Sequence, residues 1–505
     1  MKRYWFAAFF ALFCLAAAAV WFGSLNQDEG WYLYAANLVA DGKTLYRDFQ
    51  YTQGPMLPLV YSAFTWVWNA AGVLGARVFT LLPGLASIVF FAASAAKLVK
   101  SSVSAVAALV VVFLLGCNLY HLYYLAIPKT YALASLFVSL GFWLFTLAAV
   151  RGPQIRRREA FYLFLSGLSV AFAAGTRISL GALLCVVGCT LLFRREWKRL
   201  IAFSVGGFAG LALVYGPFLL DPGSLAGLVA AQKYHAARGG FDAVFTIGSL
   251  SRLVRWYLPI FIVLGLGVGN PPLRRSVDSP PPTIFLLSFL AVFLVQMLAP
   301  FPYEDYQVPV MGLLAVFAAV VFVRSTDSSR RSSVPALLVF GLAYATAFGS
   351  PLLQDWMING QDRFWALKKA KPELAQLREV AGTIEALDPG GRTLLTQDLY
   401  LAIETGRRVP DGLEMGPFSM LDDARWWKLL GECECPVAAL SGYTFAIDPP
   451  RCDERPLEKQ MEYWNLLRDR YEFVIREDDF GQNATPLLIL KKKTGGGTPE
   501  VENDR

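Results

Sequence analysis

Two carboxylates, Asp28 and Glu29, stand side by side directly after the first apolar run of this chain, Tyr4–Gly23, and next to Trp31, Tyr32 and Tyr34. An ionised carboxylate can take the proton of an attacking hydroxyl, yet an acid at a membrane face is costly unless it is hydrated or paired. A helix start accounts for the pair as well: Asp28 ahead of an apolar-periodic run can cap free backbone N–H groups at the positive end of the helix dipole. On such a helix the two side chains point about 100° apart, so a substrate meets one or the other. A second set of groups could hold an anion: Lys43, Arg47, Arg77, Lys129, Arg177, Lys233, Arg238, Arg252 and Arg255 fall on the same expected face, and a phosphate calls for such cations. Lys129 and Arg177 occupy turns too short to let them snorkel far, whereas Arg252 and Arg255 read as snorkelling to lipid headgroups.

The stretch from Asn26 to Pro55 combines the Asp-Glu pair, a helical run, Gly42, the Tyr46-Arg-Asp-Phe49 segment and Gly54-Pro55 before a new apolar run. It resembles the first extracytoplasmic loop of the GT-C glycosyltransferases, most closely the branch of protein O-mannosyltransferases and lipid A aminoarabinose transferases. The likeness in pattern extends to about residue 350, and this loop is its specific part. It implies an enzyme that moves a hexose or pentose from a polyprenyl-phosphate donor to a lipid, glycan or protein acceptor, with inversion. Asp28 aligns with the first-loop acid of that superfamily and so becomes the expected general base, with Glu29 as the adjacent alternative. Lys129, Arg177 and Arg47 become candidates for the donor phosphate, and Trp31, Tyr32, Asp48 and His235 for contact with sugar or acceptor. Asp48 also reads as a turn acid partnered by Arg47 or Lys43, Trp31 and Tyr32 as interfacial anchors, and His235 as a solvated loop histidine. Many relatives carry an acid in the second loop that shares a divalent ion with the first, but Tyr123–Tyr131 has none. Metal dependence by that route is not expected; Glu304 and Asp305 are the candidate replacement ligands, and they also read as caps of a span at the headgroup level. No cofactor follows beyond the lipid-linked donor and an optional divalent cation.

Composition fixes the class without that likeness. Of 505 residues, 55% are hydrophobic and 17% charged, with a mean hydropathy of +0.44, which excludes an ordinary soluble globule. The net charge of +7 lies in short clusters between apolar runs, which reads as topology rather than nucleic-acid binding. A secondary transporter has a similar number of spans, but no internal repeat is visible here. An O-antigen ligase or polymerase shares the lipid-linked substrate but lacks the Asp-Glu loop after its first span.

Twelve apolar runs punctuate the chain: Tyr4–Gly23, Met56–Val73, Val78–Leu98, Val103–Tyr120, Tyr131–Val150, Phe161–Ala174, Leu180–Phe193, Leu200–Leu220, Leu253–Gly269, Ile284–Ala299, Val308–Val323 and Val334–Phe348. The first is long for a cleaved signal peptide, the rival reading. If Met56–Val73 lies in the interface, all the Arg and Lys clusters fall on the cytoplasmic side with Lys2 and Arg3. The expected fold is therefore a polytopic α-helical membrane protein of the GT-C kind, with about eleven spans plus juxtamembrane helices and a C-terminal soluble α/β domain. The N-terminus is expected in the cytoplasm of a cell with this inner (plasma) membrane, and the C-terminal domain outside.

The domain limits read as 1–350 for the membrane part, with its first loop at 24–55, then 351–493 for the soluble domain and 494–505 for a disordered tail. In the soluble domain, Pro372–Leu387, Leu399–Thr405 and Glu458–Arg470 are helical in pattern, and Thr393–Thr396, Tyr471–Ile475 and Pro486–Leu490 strand-like. Cys433 and Cys435 lie here with Cys452, to which an oxidising compartment would allow one bridge. His121 and His235 are the only histidines, too few for a zinc centre.

Overall fold

The computed structural model describes residues 2–149, 156–237, 241–268, 280–299, 301–325, 371–419, 421, 423–441, 457–482 and 485–493, and some positions between 337 and 345. The 274/275 and 330/331 arginine clusters, Arg238, most of Val334–Phe348, Cys452 and the tail 494–505 lie outside them.

Helix α1 (Lys2–Phe22) ends just before the acid pair, and α2 (Gln27–Ala40) carries it. The N-cap of α2 is Asn26, two residues ahead of the expected Asp28: Asn26 Oδ1 accepts from the Asp28 N–H at 3.0 Å, and Glu29 Oε1 accepts from the Asn26 N–H at 2.9 Å. This capping box satisfies two terminal donors reciprocally and releases the Asp28 carboxylate for other partners.

The Met56–Val73 run forms short helical pieces, α3 (Met56–Tyr61), a 3₁₀ turn at Ser62–Phe64 and the start of α4 (Trp66–Leu98). The run stops at Gly72, whose φ of 62° and ψ of −157° leave the helical region. The run is therefore broken into pieces rather than one continuous helix, and its last part leads into the candidate span Trp66–Leu98. Gly72 is required there for a second reason: the Glu404 carboxylate stands 2.2 Å from where a Cβ would be, and its Oε2 accepts from the Val73 N–H at 2.8 Å, capping the restarted helix.

The bundle continues with α5 (Ser104–Gly116), α6 (Leu119–Ala126), α7 (Thr130–Ala149), α8 (Arg157–Thr176), α9 (Ala182–Phe193), α10 (Trp197–Leu220), α11 (Pro222–Ala237), α12 (Ala243–Trp256), α13 (Leu258–Val268), α14 (Pro280–Met297) and α15 (Val308–Ser325). Among the described residues, five helices are long and apolar enough to cross a membrane, or up to seven if two pairs bent by 74° each make one span. The expected eleven includes shorter apolar helices such as α9 and α14. The span that ends in α15 has 94% of its apolar window buried, which makes it the axis of the bundle.

The C-terminal domain comprises α16 (Glu373–Leu387), α17 (Leu399–Thr405), α18 (Asp423–Glu432), β1 (Val437–Ser441), α19 (Leu457–Arg470), β2 (Tyr471–Phe480) and β3 (Thr485–Lys492). Its sheet is antiparallel in the order β1-β3-β2, with Ala439 opposite Ile489 and Phe473 opposite Leu490. The expected strand Thr393–Thr396 makes only isolated bridges, Thr393 with Arg408 and Leu395 with Ala438. The partner it meets, β1, is a short apolar run whose period cannot distinguish strand from buried helix. Cys433 and Cys435 are buried free thiols.

One hydrophobic core unites α2, α3 and the start of α4 with this domain, through Leu33, Leu57, Trp68, Leu399, Tyr400 and Leu490 among others. The approach is closest at Gly30, where an added Cβ would stand 2.3 Å from the backbone nitrogen of Tyr400. The acid-bearing helix is thus a seam between bundle and soluble domain.

Candidate active site

Asp28 occupies the second position of α2, and its two oxygens have different partners. Oδ1 accepts from the indole N–H of Trp31, one turn on, at 3.0 Å, while Oδ2 lies 2.8 Å from Lys129 Nζ. Lys129 Nζ also lies 3.0 Å from Asp305 Oδ2, and the Tyr131 hydroxyl donates to that same oxygen at 2.8 Å. The Lys129 side chain is 9% exposed and that of Asp28 is 21% exposed, so the carboxylate is the more open end of the pair.

Breaks in three helical segments bring these groups together. Asn118 caps α6 by accepting from the His121 N–H at 3.1 Å, and α6 lies bent by 74° to α5. Pro128 cannot continue α6, so Lys129 sits in a tight turn, its N–H bonded to the Ile127 carbonyl at 2.7 Å, just ahead of α7. Arg177 is extended (φ −142°, ψ 117°) between α8 and a 3₁₀ turn. Asp305 lies in the 3₁₀ turn Glu304–Gln307 that opens α15, where an acid suits the helix dipole.

Arg177 donates from Nη1 to Thr130 Oγ1 at 3.1 Å, and its guanidinium lies over the rings of Tyr131 and Tyr306 at 4.8 and 4.6 Å. Such stacking is a cation–π arrangement that fixes a planar cation without consuming all its N–H groups. Its Nε is buried and makes no hydrogen bond. Beside it opens a cavity of about 310 Å³ lined by Arg177, Thr52, Gln53, Ser179, Gln296 and Tyr306.

Burial alone would raise the Asp28 carboxyl, but Lys129, Trp31 and Arg177 more than offset it and hold it below its ordinary value. Burial works the other way on Lys129, and the Asp28 and Asp305 carboxylates keep its ammonium well above the usual lysine range. The result is an ionised acid at rest.

Glu29, the other acid of the pair, points away as the helix period requires. It is fully buried against Arg77, with contacts of 2.6 and 2.7 Å, and Arg77 also donates to the carbonyls of Val20, Gly23 and Ser24. Sequence reasoning placed Arg77 only among the cations of one face; a charge inside an apolar helix was the signal of a specific partner. Also missed were Trp31 as a donor to Asp28 and Asp305 as the second partner of Lys129.

The remaining candidates sit elsewhere. Asp48 accepts from the Thr44 N–H at 2.7 Å and from Arg47 at 2.9 Å, so it closes its own turn, and Arg47 also approaches Asp221 at 4.0 Å. Trp31 and Tyr32 are buried, their rings 3.8 Å apart, with Tyr51 and Phe418 edge-on to Trp31. They pack around Asp28. His235 lies on α11, and its side chain is outside the described residues.

Two expectations of snorkelling are corrected. Arg252 bonds Glu304 at 3.0 Å, and Arg255 is buried over Trp256 at 5.1 Å, because a nearby acid or aromatic face competes well with distant headgroups.

Among the described residues, no three His, Cys, Asp or Glu side chains converge. Glu304 turns to Arg252 and Ser249, and an ammonium, not a third acid, stands between Asp28 and Asp305. These residues do not fit a divalent ion as they stand.

No family model matches the sequence, and no curated protein matches it. Solved structures do match. ArnT from Cupriavidus metallidurans bound to undecaprenyl phosphate superposes with a TM-score of 0.64 at 13% identity, covering 99% of each chain. Its apo form gives 0.64 at 15% identity over 97% of this chain and 98% of that one. The Archaeoglobus fulgidus oligosaccharyltransferase in complex with Zn and sulfate gives 0.51 at 14% identity, over 94% of this chain and 72% of the other. The chain has the GT-C fold. The resemblance carried by Asn26–Pro55 therefore holds for the whole architecture, membrane bundle and C-terminal domain together. At these identities the GT-C fold is what is shared, and the roles of individual residues rest on the geometry above.

Proposed function

We propose that this GT-C protein is a membrane glycosyltransferase that takes a sugar from a polyprenyl-phosphate donor and passes it to a hydroxyl-bearing lipid, glycan or protein acceptor. The observation that carries the reading is the 2.8 Å contact between Asp28 and Lys129, with Arg177, which shares the Tyr131 ring with Lys129 and acts electrostatically on Asp28, bordering a cavity. It puts a proton acceptor beside two cations, the combination that displacement of a phosphate requires. ArnT, which shares the fold, has been solved with undecaprenyl phosphate, and that supports a donor of the same class.

In this reading the donor phosphate enters the cavity and meets the unpartnered Nε of Arg177. It also meets the remaining N–H of Lys129, an ammonium having three donors of which Asp28 and Asp305 occupy two. The acceptor oxygen attacks the anomeric carbon opposite the phosphate as Asp28 takes the hydroxyl proton. The bond from anomeric carbon to phosphate oxygen breaks, its electron pair stays on that oxygen, and the configuration inverts. The site and the C-terminal domain face the extracytoplasmic side, as the basic clusters at the opposite helix ends suggest.

Purified protein supplied with undecaprenyl-phosphate sugars and a mixed lipid and glycan acceptor extract should release undecaprenyl phosphate, read by mass spectrometry, with Asp28→Asn as the inactive control. Equal release by Asp28→Asn and the native protein would refute the role of Asp28. No release from any hexose or pentose donor would refute the transferase.

A further inference from the structure

We propose that the Lys129 ammonium takes the place between Asp28 and Asp305 that a divalent cation would otherwise hold, and that this site operates without such a cation. Nζ lies 2.8 Å from Asp28 Oδ2 and 3.0 Å from Asp305 Oδ2, and the Tyr131 hydroxyl reaches that Asp305 oxygen at 2.8 Å. Two carboxylates from separate elements therefore meet at the ammonium, with a phenol from a third bonded to one of them. That is an oxygen-only set of the kind hard divalent ions choose, since such an ion can be bound through one or two carboxylates with water completing its shell.

A single tethered charge occupies the point instead. Two acids this close would repel, and one would lose its charge, without a cation between them. The lysine supplies that cation from a covalent tether, its backbone held in the turn after Pro128 and its nitrogen by the two acids, and a chelator cannot remove it. No other acid completes a metal shell among the described residues, because Glu304, the neighbour of Asp305, is engaged by Arg252 and Ser249. Removing the ammonium should turn the acid pair into a cation site.

The statement about turnover rests on the transferase reading, whereas the binding measurement needs neither donor nor acceptor and so stands apart from it. Mn²⁺ is titrated into the full-length native protein, Lys129→Ala and Lys129→Ala/Asp305→Asn, with bound Mn²⁺ read by electron paramagnetic resonance. The native protein should bind no stoichiometric Mn²⁺ at this site, Lys129→Ala about one equivalent, and the double variant none. In parallel, native turnover should be unchanged by excess EDTA. Lys129→Gln, closer in size and able to hydrogen-bond, serves if the alanine variant does not fold. The proposal is overturned if native protein binds Mn²⁺ in a manner lost on Asp305→Asn, if EDTA abolishes turnover and Mn²⁺ restores it, or if folded lysine variants gain no Mn²⁺.

Discussion

Glu29 and Arg77 form a two-point ion pair with both side chains fully buried, Oε2 to Nε at 2.7 Å and Oε1 to Nη2 at 2.6 Å. The pair joins the acid-bearing helix α2 to α4, and the Arg77 bonds to Val20, Gly23 and Ser24 draw in the end of α1. Asp28 is therefore anchored by its immediate neighbour. Glu29→Gln would leave the guanidinium buried without its counter-charge, a loss of about 3–5 kcal/mol. Thermal unfolding in detergent should show it, and Arg77→Lys should not rescue, because one ammonium cannot replace five fixed donors. Native stability in Glu29→Gln would mean that the pair is not the anchor.

Asp28→Asn keeps the size of the side chain and leaves the Asn26 cap of α2 intact. Folding and donor binding should persist, while transfer falls by about 10²–10⁴-fold, as for loss of a general base. Turnover is the measurement, with binding of the lipid donor as the companion.

Arg177→Met removes the buried guanidinium at the cavity. A charge-assisted contact to a phosphate is worth about 1.5–3 kcal/mol, so the donor KM should rise by roughly 10- to 150-fold. An unchanged KM would assign Arg177 to holding Tyr131 and Tyr306 alone.

The acid limb of the pH profile follows from Lys129. The folded value of the Asp28 carboxyl is depressed, so the stability it contributes is present above its unfolded value, near 3.8, and is lost as pH falls through the lower folded value. Turnover should be flat from neutral pH down to the ordinary carboxylate range. Lys129→Met should move the limb upward, and a limb that stays in place would show that Lys129 does not tune Asp28.

Asp398 titrates in the opposite sense. Its carboxyl accepts from Gln27 Nε2 at 2.7 Å and from the Tyr400 hydroxyl at 3.0 Å, and burial raises it above its ordinary value despite these donors. For a raised acid, the contribution is present below the unfolded value and lost as pH rises through the folded one. Hydrogen-exchange protection of residues 25–31, taken relative to intrinsic exchange at each pH, should thus fall with rising pH, and Asp398→Asn should flatten that dependence. Parallel curves for the two proteins would exclude Asp398 as the cause.

The sequence by itself determined the class and marked the acid pair as groups in need of a partner. Long apolar runs separated by Arg and Lys clusters can satisfy their backbone groups in a bilayer only as helices, and an acid pair against the first of them had to be paired or hydrated. The capping role was legible in type and displaced by two residues, because Asn26 and Asp28 are both good caps and local sequence does not rank them. Only the tertiary structure decided which partner each acid received. Lys129 and Asp305 are 176 positions apart, and Glu29 and Arg77 are 48 apart. Periodicity can say that two neighbouring side chains diverge, but the charge that each one meets depends on how separate helices pack, and that packing is settled by the shape of the whole core. The seam at Gly30 shows the same limit: a glycine in a helix looks like a weakness in the sequence, and it proves to be the point where Tyr400 of the C-terminal domain comes into backbone contact.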